Sequence, residues 1–110
     1  MRKFSLLFIL AGFLTTLAMP TVMYAQADPA KIFKANCILC HSADGSGDSA
    51  TGKAMHAKDL RSEEVQKQDD ATLSDAITKG KGKMPPFGAK IRPDDMAKLV
   101  AYIRQLPKAK

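Results

Sequence analysis

Residues 36–41 read Asn-Cys-Ile-Leu-Cys-His, and Cys37 and Cys40 are the only cysteines in the chain. Two thiols separated by two residues can reach one edge of a flat ring, and the residue behind them then presents an imidazole toward its centre. Covalent attachment of a porphyrin through two thioethers uses all three groups together, and C-x-x-C-H is the sequence signature of c-type haem attachment. Three other readings compete for these residues. A thioredoxin-like dithiol needs a βαβ context, and no strand pattern is readable here. A plain disulfide suits an exported chain. A zinc site could recruit His41 and His56, although the adjacent Cys40 and His41 make awkward tetrahedral partners.

The amino end bears on the compartment. Arg2 and Lys3 precede an apolar run from Phe4 to Met19, followed by Pro20 and by Ala25-Gln26-Ala27. A basic start, an apolar middle and a small-x-small exit form the pattern of a secretory signal peptide. Residues 1–27 are expected to be that leader, cleaved after Ala27, with Ala25 as the second choice. An uncleaved anchor is the alternative, since a spanning helix needs about 20 apolar residues, but Thr15, Thr16, Pro20 and Thr21 weaken it. No cysteine precedes Cys37, so the sequence offers no site for a lipid-modified amino terminus.

Residues 28–110 then form one small domain whose only aromatic residues are Phe33, Phe87 and Tyr102. A domain of this size has a marginal core and usually needs a staple or a cofactor. The chain carries 17 Lys and Arg against 11 Asp and Glu, and the leader removes Arg2 and Lys3, leaving a mature excess of four. That is far below the basic footprint of a nucleic-acid binder. It suits a docking face for an acidic protein partner.

The expected elements are all helical. Asp28-Pro29 is a helix start, with an N-cap acid and a proline at the first position. Gly45, Gly47 and Gly52 mark the stretch from Ser42 to Gly52 as loop. Ser62-Glu63-Glu64-Val65 reads as a short helix start. A helix is predicted from about Asp70 to Lys79, stopping at Gly80, with Leu73, Ala76 and Ile77 on one face. Gly82, Pro85, Pro86 and Gly88 make 81–92 loop. The last helix starts at Pro93-Asp94-Asp95, buries Met96, Leu99, Val100 and Ile103, and ends before Pro107.

A haem that carries electrons is held by His and Met, and the mature part offers Met55, Met84 and Met96. Met96 falls on the apolar face of the last helix and is expected in the core. Met55 lies in polar surroundings without a supporting frame. Met84 stands in Gly80-Lys81-Gly82-Lys83-Met84-Pro85-Pro86-Phe87-Gly88, an irregular loop stiffened behind the Met by two prolines. Met84 is therefore the expected second axial ligand, with His41 the first.

Phe33, Cys37-x-x-Cys40-His41, the glycines at 45, 47 and 52, Met84-Pro85-Pro86-Phe87 and Leu99-Val100-Ala101-Tyr102-Ile103-Arg104 together resemble a bacterial class I (monohaem) c-type cytochrome. The resemblance covers essentially all of residues 28–110, the expected cytochrome c domain. It implies a small all-α fold of roughly three to five helices wrapped round one covalently bound haem c. It also implies that the first and last helices cross at Phe33 and Tyr102. One position departs from the family: a Gly is usual about four residues before Phe33, where this chain has Pro29. Either the crossing is looser or the last helix contacts Ala30 instead.

The function expected is that of a soluble periplasmic electron carrier, not an enzyme. It would pass single electrons from a respiratory or dehydrogenase donor to an oxidase-type acceptor. A haem enzyme or gas sensor with a labile sixth ligand is the alternative. Lys79, Lys81, Lys83 and Lys90 cluster about the Met84 loop as a candidate docking patch for an acidic redox partner. His56 is expected at the surface. A monomer, free of nucleic acid and of membrane once the leader is removed, completes the expectation.

Overall fold

Asp28 caps the first helix as its position predicts: its carboxylate accepts the Ala30 N–H at 2.9 Å, and Pro29 opens α1 (Pro29–Asn36). The computed structural model describes residues 18–23 and 25–109; most of the leader expected over 1–27 lies outside the described residues. Five further helices follow: α2 (Ile38–His41), α3 (Ala50–Met55), α4 (Glu63–Gln66), α5 (Asp70–Lys79) and α6 (Pro93–Arg104). No strand occurs among the described residues, only an isolated bridge between Lys81 and Met84. α2 and α4 are single turns, so the longer helices among the described residues number four, within the range that the resemblance implies.

Helix α5 has the predicted bounds. Asp69 caps it by accepting the Thr72 N–H at 2.7 Å, and Gly80 ends it with φ 75° and ψ 164°. Helix α6 also starts where Pro93 and the acids of its first turn place it. Met96, Leu99, Val100 and Ile103 are buried along one stripe of α6. They join Phe33, Val65, Leu73, Ile77 and Ile91 in one core. Helix α6 packs on both α1 and α5. The Arg104 guanidinium ties its far end to the α4–α5 turn, donating to the Gln66 carbonyl at 2.7 Å and to Asp70 at 2.9 Å.

The α1–α6 crossing brings the Phe33 and Tyr102 rings to 5.4 Å between centroids, tilted by 51°. Ala30 is exposed while Pro29 is half-buried, so Ala30 does not close the crossing. The structure differs from expectation at residues 50–52, where α3 begins instead of loop. Ser49 supplies the reason, accepting the Gly52 N–H at 2.9 Å as an N-cap. Gly52 is tolerated within α3 because the helix lies directly against the backbone of α2; a Cβ at Gly52 would strike the carbonyl oxygens of Cys40 and Gly47.

Candidate functional site

Cys37 ends α1 and opens α2, and its carbonyl accepts the N–H groups of Cys40 (3.2 Å) and His41 (2.8 Å). The motif is thus one helical turn, with Cys37, Cys40 and His41 at i, i+3 and i+4 on one face. All three line one large cavity. Both cysteines are free thiols and half-buried. Burial, with Cys40 adding to it, pushes the Cys37 thiol up to about 11. The attacking thiol of a redox dithiol has a depressed pKa, and Cys37 does not show one. Nor do the thiols meet further metal donors: among the described residues no group of three or more His, Cys, Asp or Glu could hold an ion.

The chain from 42 to 58 wraps around His41. Gly47 N–H donates to the His41 carbonyl at 2.9 Å, and the Ser49 hydroxyl donates to the Leu39 carbonyl at 2.7 Å. The Lys58 carbonyl lies 3.0 Å from His41 Nδ1. A carbonyl only accepts, so this bond requires the proton on Nδ1 and leaves the Nε2 lone pair for a metal. Burial lowers the His41 pKa, opposed by the bond to Lys58, which keeps the ring neutral at pH 7 as a ligand must be.

Met84 reaches the same cavity from the other side of the fold, on the loop after α5. Two backbone bonds pair it with Lys81, from Lys81 N–H to the Met84 carbonyl (3.1 Å) and from Met84 N–H to the Lys81 carbonyl (3.0 Å). Behind Pro85 and Pro86, Phe87 N–H donates to the Ile77 carbonyl (2.9 Å) and Gly88 N–H to that of Thr78 (3.1 Å). The loop is a strap fastened at both ends to the end of α5. Met84 is half-buried and packs against the core. Met96 is buried at 5 % exposure in the core, as its position predicts, while Met55 is 40 % exposed and also lines the cavity, at the exposed end of α3 with no strap to hold it.

The cavity has a volume of about 1080 Å³, at the upper end of the roughly 300–1,000 Å³ typical of ligand pockets. Phe33, Val65, Leu73, Ile77, Phe87 and Ile103 give it apolar walls. A large flat apolar group fits this space, with two thiols on one edge for thioether bonds, a neutral imidazole below and a thioether from the strap. The residues present therefore suit a haem. Lys79, Lys81, Lys83 and Lys90 all stand at its rim and are exposed. Of these, Lys79 pairs with Asp75 at 2.9 Å, and Lys90 lies 5.7 Å from the Phe87 ring centroid.

His56 is exposed, as expected, yet it lines the cavity. It caps the end of α3 in the left-handed conformation at φ 55°. Lys58 was not visible as a site residue because it acts on His41 through its backbone carbonyl, which no side-chain pattern reports. Its ammonium pairs with Glu64 at 2.9 Å on the same rim.

Residues 25–103 match the family model described as cytochrome c oxidase, cbb3-type, subunit III. The chain is 30 % identical to a cytochrome c6 from Nostoc sp. (strain PCC 7120 / SAG 25.82 / UTEX 2576), across 94 % of this chain and 92 % of that protein. A cytochrome c6 from Gloeothece citriformis (strain PCC 7424) is 33 % identical over 66 % of this chain, which spans 64 % of that relative's length. Among solved structures, the KustC0563 c-type cytochrome superposes with a TM-score of 0.68 at 28 % identity, covering 74 % of this chain and 100 % of that one. One helical fold, one haem-sized cavity and these matches agree: the chain belongs to the c-type cytochromes, electron-transfer proteins with one covalently bound haem c per chain.

Proposed function

We propose that Cys37 and Cys40 form the two thioether bonds and that His41 and Met84 are the axial ligands of a carrier passing one electron at a time. The observation that carries this reading is that two distant segments, 37–41 and the strap at 84, bring these four side chains to one cavity. When bound, the haem iron supplies the reversible ferric–ferrous couple, and a Met/His ligand pair raises its potential. The chain's own residues do the rest. Lys58 fixes the imidazole tautomer, the strap holds the thioether, and the apolar walls exclude water. If His41 and Met84 both hold the iron, the site would leave no place on it for a substrate, which would favour a carrier over an enzyme or gas sensor.

Residues 1–27 act as the export leader in this reading, and residues 28–110 are the mature periplasmic domain, a soluble monomer. The exposed lysines at positions 79, 81, 83 and 90 ring the mouth and favour an acidic redox partner through charge complementarity. A respiratory or dehydrogenase protein serves as donor and an oxidase-type protein as acceptor. The cbb3-type description of the matching family model accords with the latter. The test is denaturing mass spectrometry of protein matured in a periplasm that attaches haem. The expected mass is polypeptide from Asp28 plus one haem, and the ferric spectrum should carry the weak far-red band of Met sulfur on iron. Bare polypeptide with a disulfide or zinc would overturn the reading.

A further inference from the structure

We propose that Gly80 is a positioning residue for the Met84 sulfur. The proposal rests on the reading of Met84 as axial ligand and identifies what holds it in place. A Met side chain has three rotatable bonds and little stiffness of its own, so the backbone must supply the position of its sulfur. At Met84 that backbone sits directly on Gly80. A Cβ there would lie 2.6 Å from the Met84 carbonyl oxygen, 2.9 Å from Pro86 N and 3.0 Å from the Pro85 carbonyl carbon. All three contacts are backbone atoms and cannot turn aside.

The conformation of Gly80, φ 75° and ψ 164°, also belongs to a region that glycine alone populates. Restoring an ordinary contact of 3.4 Å from 2.6 Å would move the Met84 carbonyl by about 0.8 Å. That carbonyl is the acceptor for Lys81 N–H, so the shift would open the turn that presents Met84. Gly88, at the other fastening of the strap, is milder: a Cβ would meet Thr78 Cγ2 at 2.8 Å and the Thr78 carbonyl oxygen at 3.0 Å. Gly82, between them, has φ 58° but no atom within 4 Å of its Cβ position. Contact is therefore demanded at both ends of the strap and not at its tip.

The experiment titrates ferric holoprotein with imidazole, which competes with the Met84 sulfur for the iron. Its apparent affinity rises with the fraction of molecules whose distal position is open. Gly80→Ala should bind imidazole about tenfold more tightly or better, equivalent to about 1.4 kcal/mol, and lose most of the sulfur-to-iron band. Gly88→Ala should fall between, and adding Thr78→Ser, which removes the clashing methyl, should restore it toward wild type. Gly82→Asn, which keeps the left-handed backbone that Asn tolerates, should stay within about twofold of wild type. So should Val100→Ala, a core truncation away from the strap that lowers the thermal midpoint.

Wild-type imidazole affinity in Gly80→Ala, or an equal rise in Gly82→Asn and Val100→Ala, would overturn the proposal. If Gly80→Ala does not accumulate, Gly88→Ala decides: an unchanged affinity, or a rise that Thr78→Ser leaves untouched, overturns it. Met84→Ala separates the two readings. If that variant keeps the wild-type band and affinity, Met84 is not the ligand and both readings fall. If it loses them while the glycine variants do not, only the role of Gly80 falls.

Discussion

The apo chain should not hold this fold. The perturbation is Cys37→Ser with Cys40→Ser, expressed without haem-attaching machinery. In the folded chain it would leave a cavity of about 1080 Å³ lined by core residues such as Phe33, Leu73 and Ile77. The cavity opens to solvent at its mouth, so what the apo chain forfeits is the covering of its apolar walls, on the order of 8 kcal/mol at about 25 cal/mol per Å². That is comparable to the roughly 5–15 kcal/mol total stability of a natural domain. Local structure does not compensate, because α6, the longest helix among the described residues, has 12 residues, and isolated helices below about 12–15 residues are marginal in water. Far-ultraviolet circular dichroism should show weak helicity with no cooperative melt, and amide exchange should show little protection at Leu99 and Val100. A cooperative melt with near-native helicity would refute the reasoning, since the protein packing alone would then suffice.

Three further outcomes follow from particular contacts. Met84→Ala should lose the sulfur-to-iron band, lower the reduction potential and gain carbon monoxide binding, because a thioether favours ferrous iron; Met55→Leu and Met96→Leu should leave the spectrum unchanged. Asp95, only 4 % exposed, is held below the usual carboxylate range chiefly by its bond to Arg92, against the opposing effect of burial. A depressed folded pKa gives stability that is present above the unfolded carboxylate value, about 3.9, and is lost as pH falls through the folded one. Asp95→Asn should therefore lower the thermal midpoint at pH 7 and converge with wild type in acid. Gly52→Ala should cut the yield of haem-attached protein severalfold, read by haem-stained gels against total polypeptide, because its Cβ would strike the Cys40 carbonyl.

What could be read in the sequence divides along a physical line. The bounds of α5 were legible because the Leu73, Ala76 and Ile77 face and a stop at Gly80 are local signals, and the start of α6 because Pro93 and its acids are. The thiols, His41 and Met84 were legible as candidates because they would act through side-chain chemistry that few other residues supply. The start of α3 was not. Gly52 reads as a helix breaker, and only the approach of the α2 backbone explains a glycine there. Lys58 was hidden for a related reason: its carbonyl holds the His41 ring, and any residue at that position would offer the same atom. Gly80 was read only as a helix stop, although it does two things at once, ending α5 and leaving the space that the Met84 carbonyl occupies. The legible residues are those that would bond the haem; the hidden ones act by a backbone atom or by a missing side chain, and they set where the bonding residues stand. A substitution at Gly52 or Gly80 can thus disturb the site while leaving every candidate ligand in the sequence unchanged.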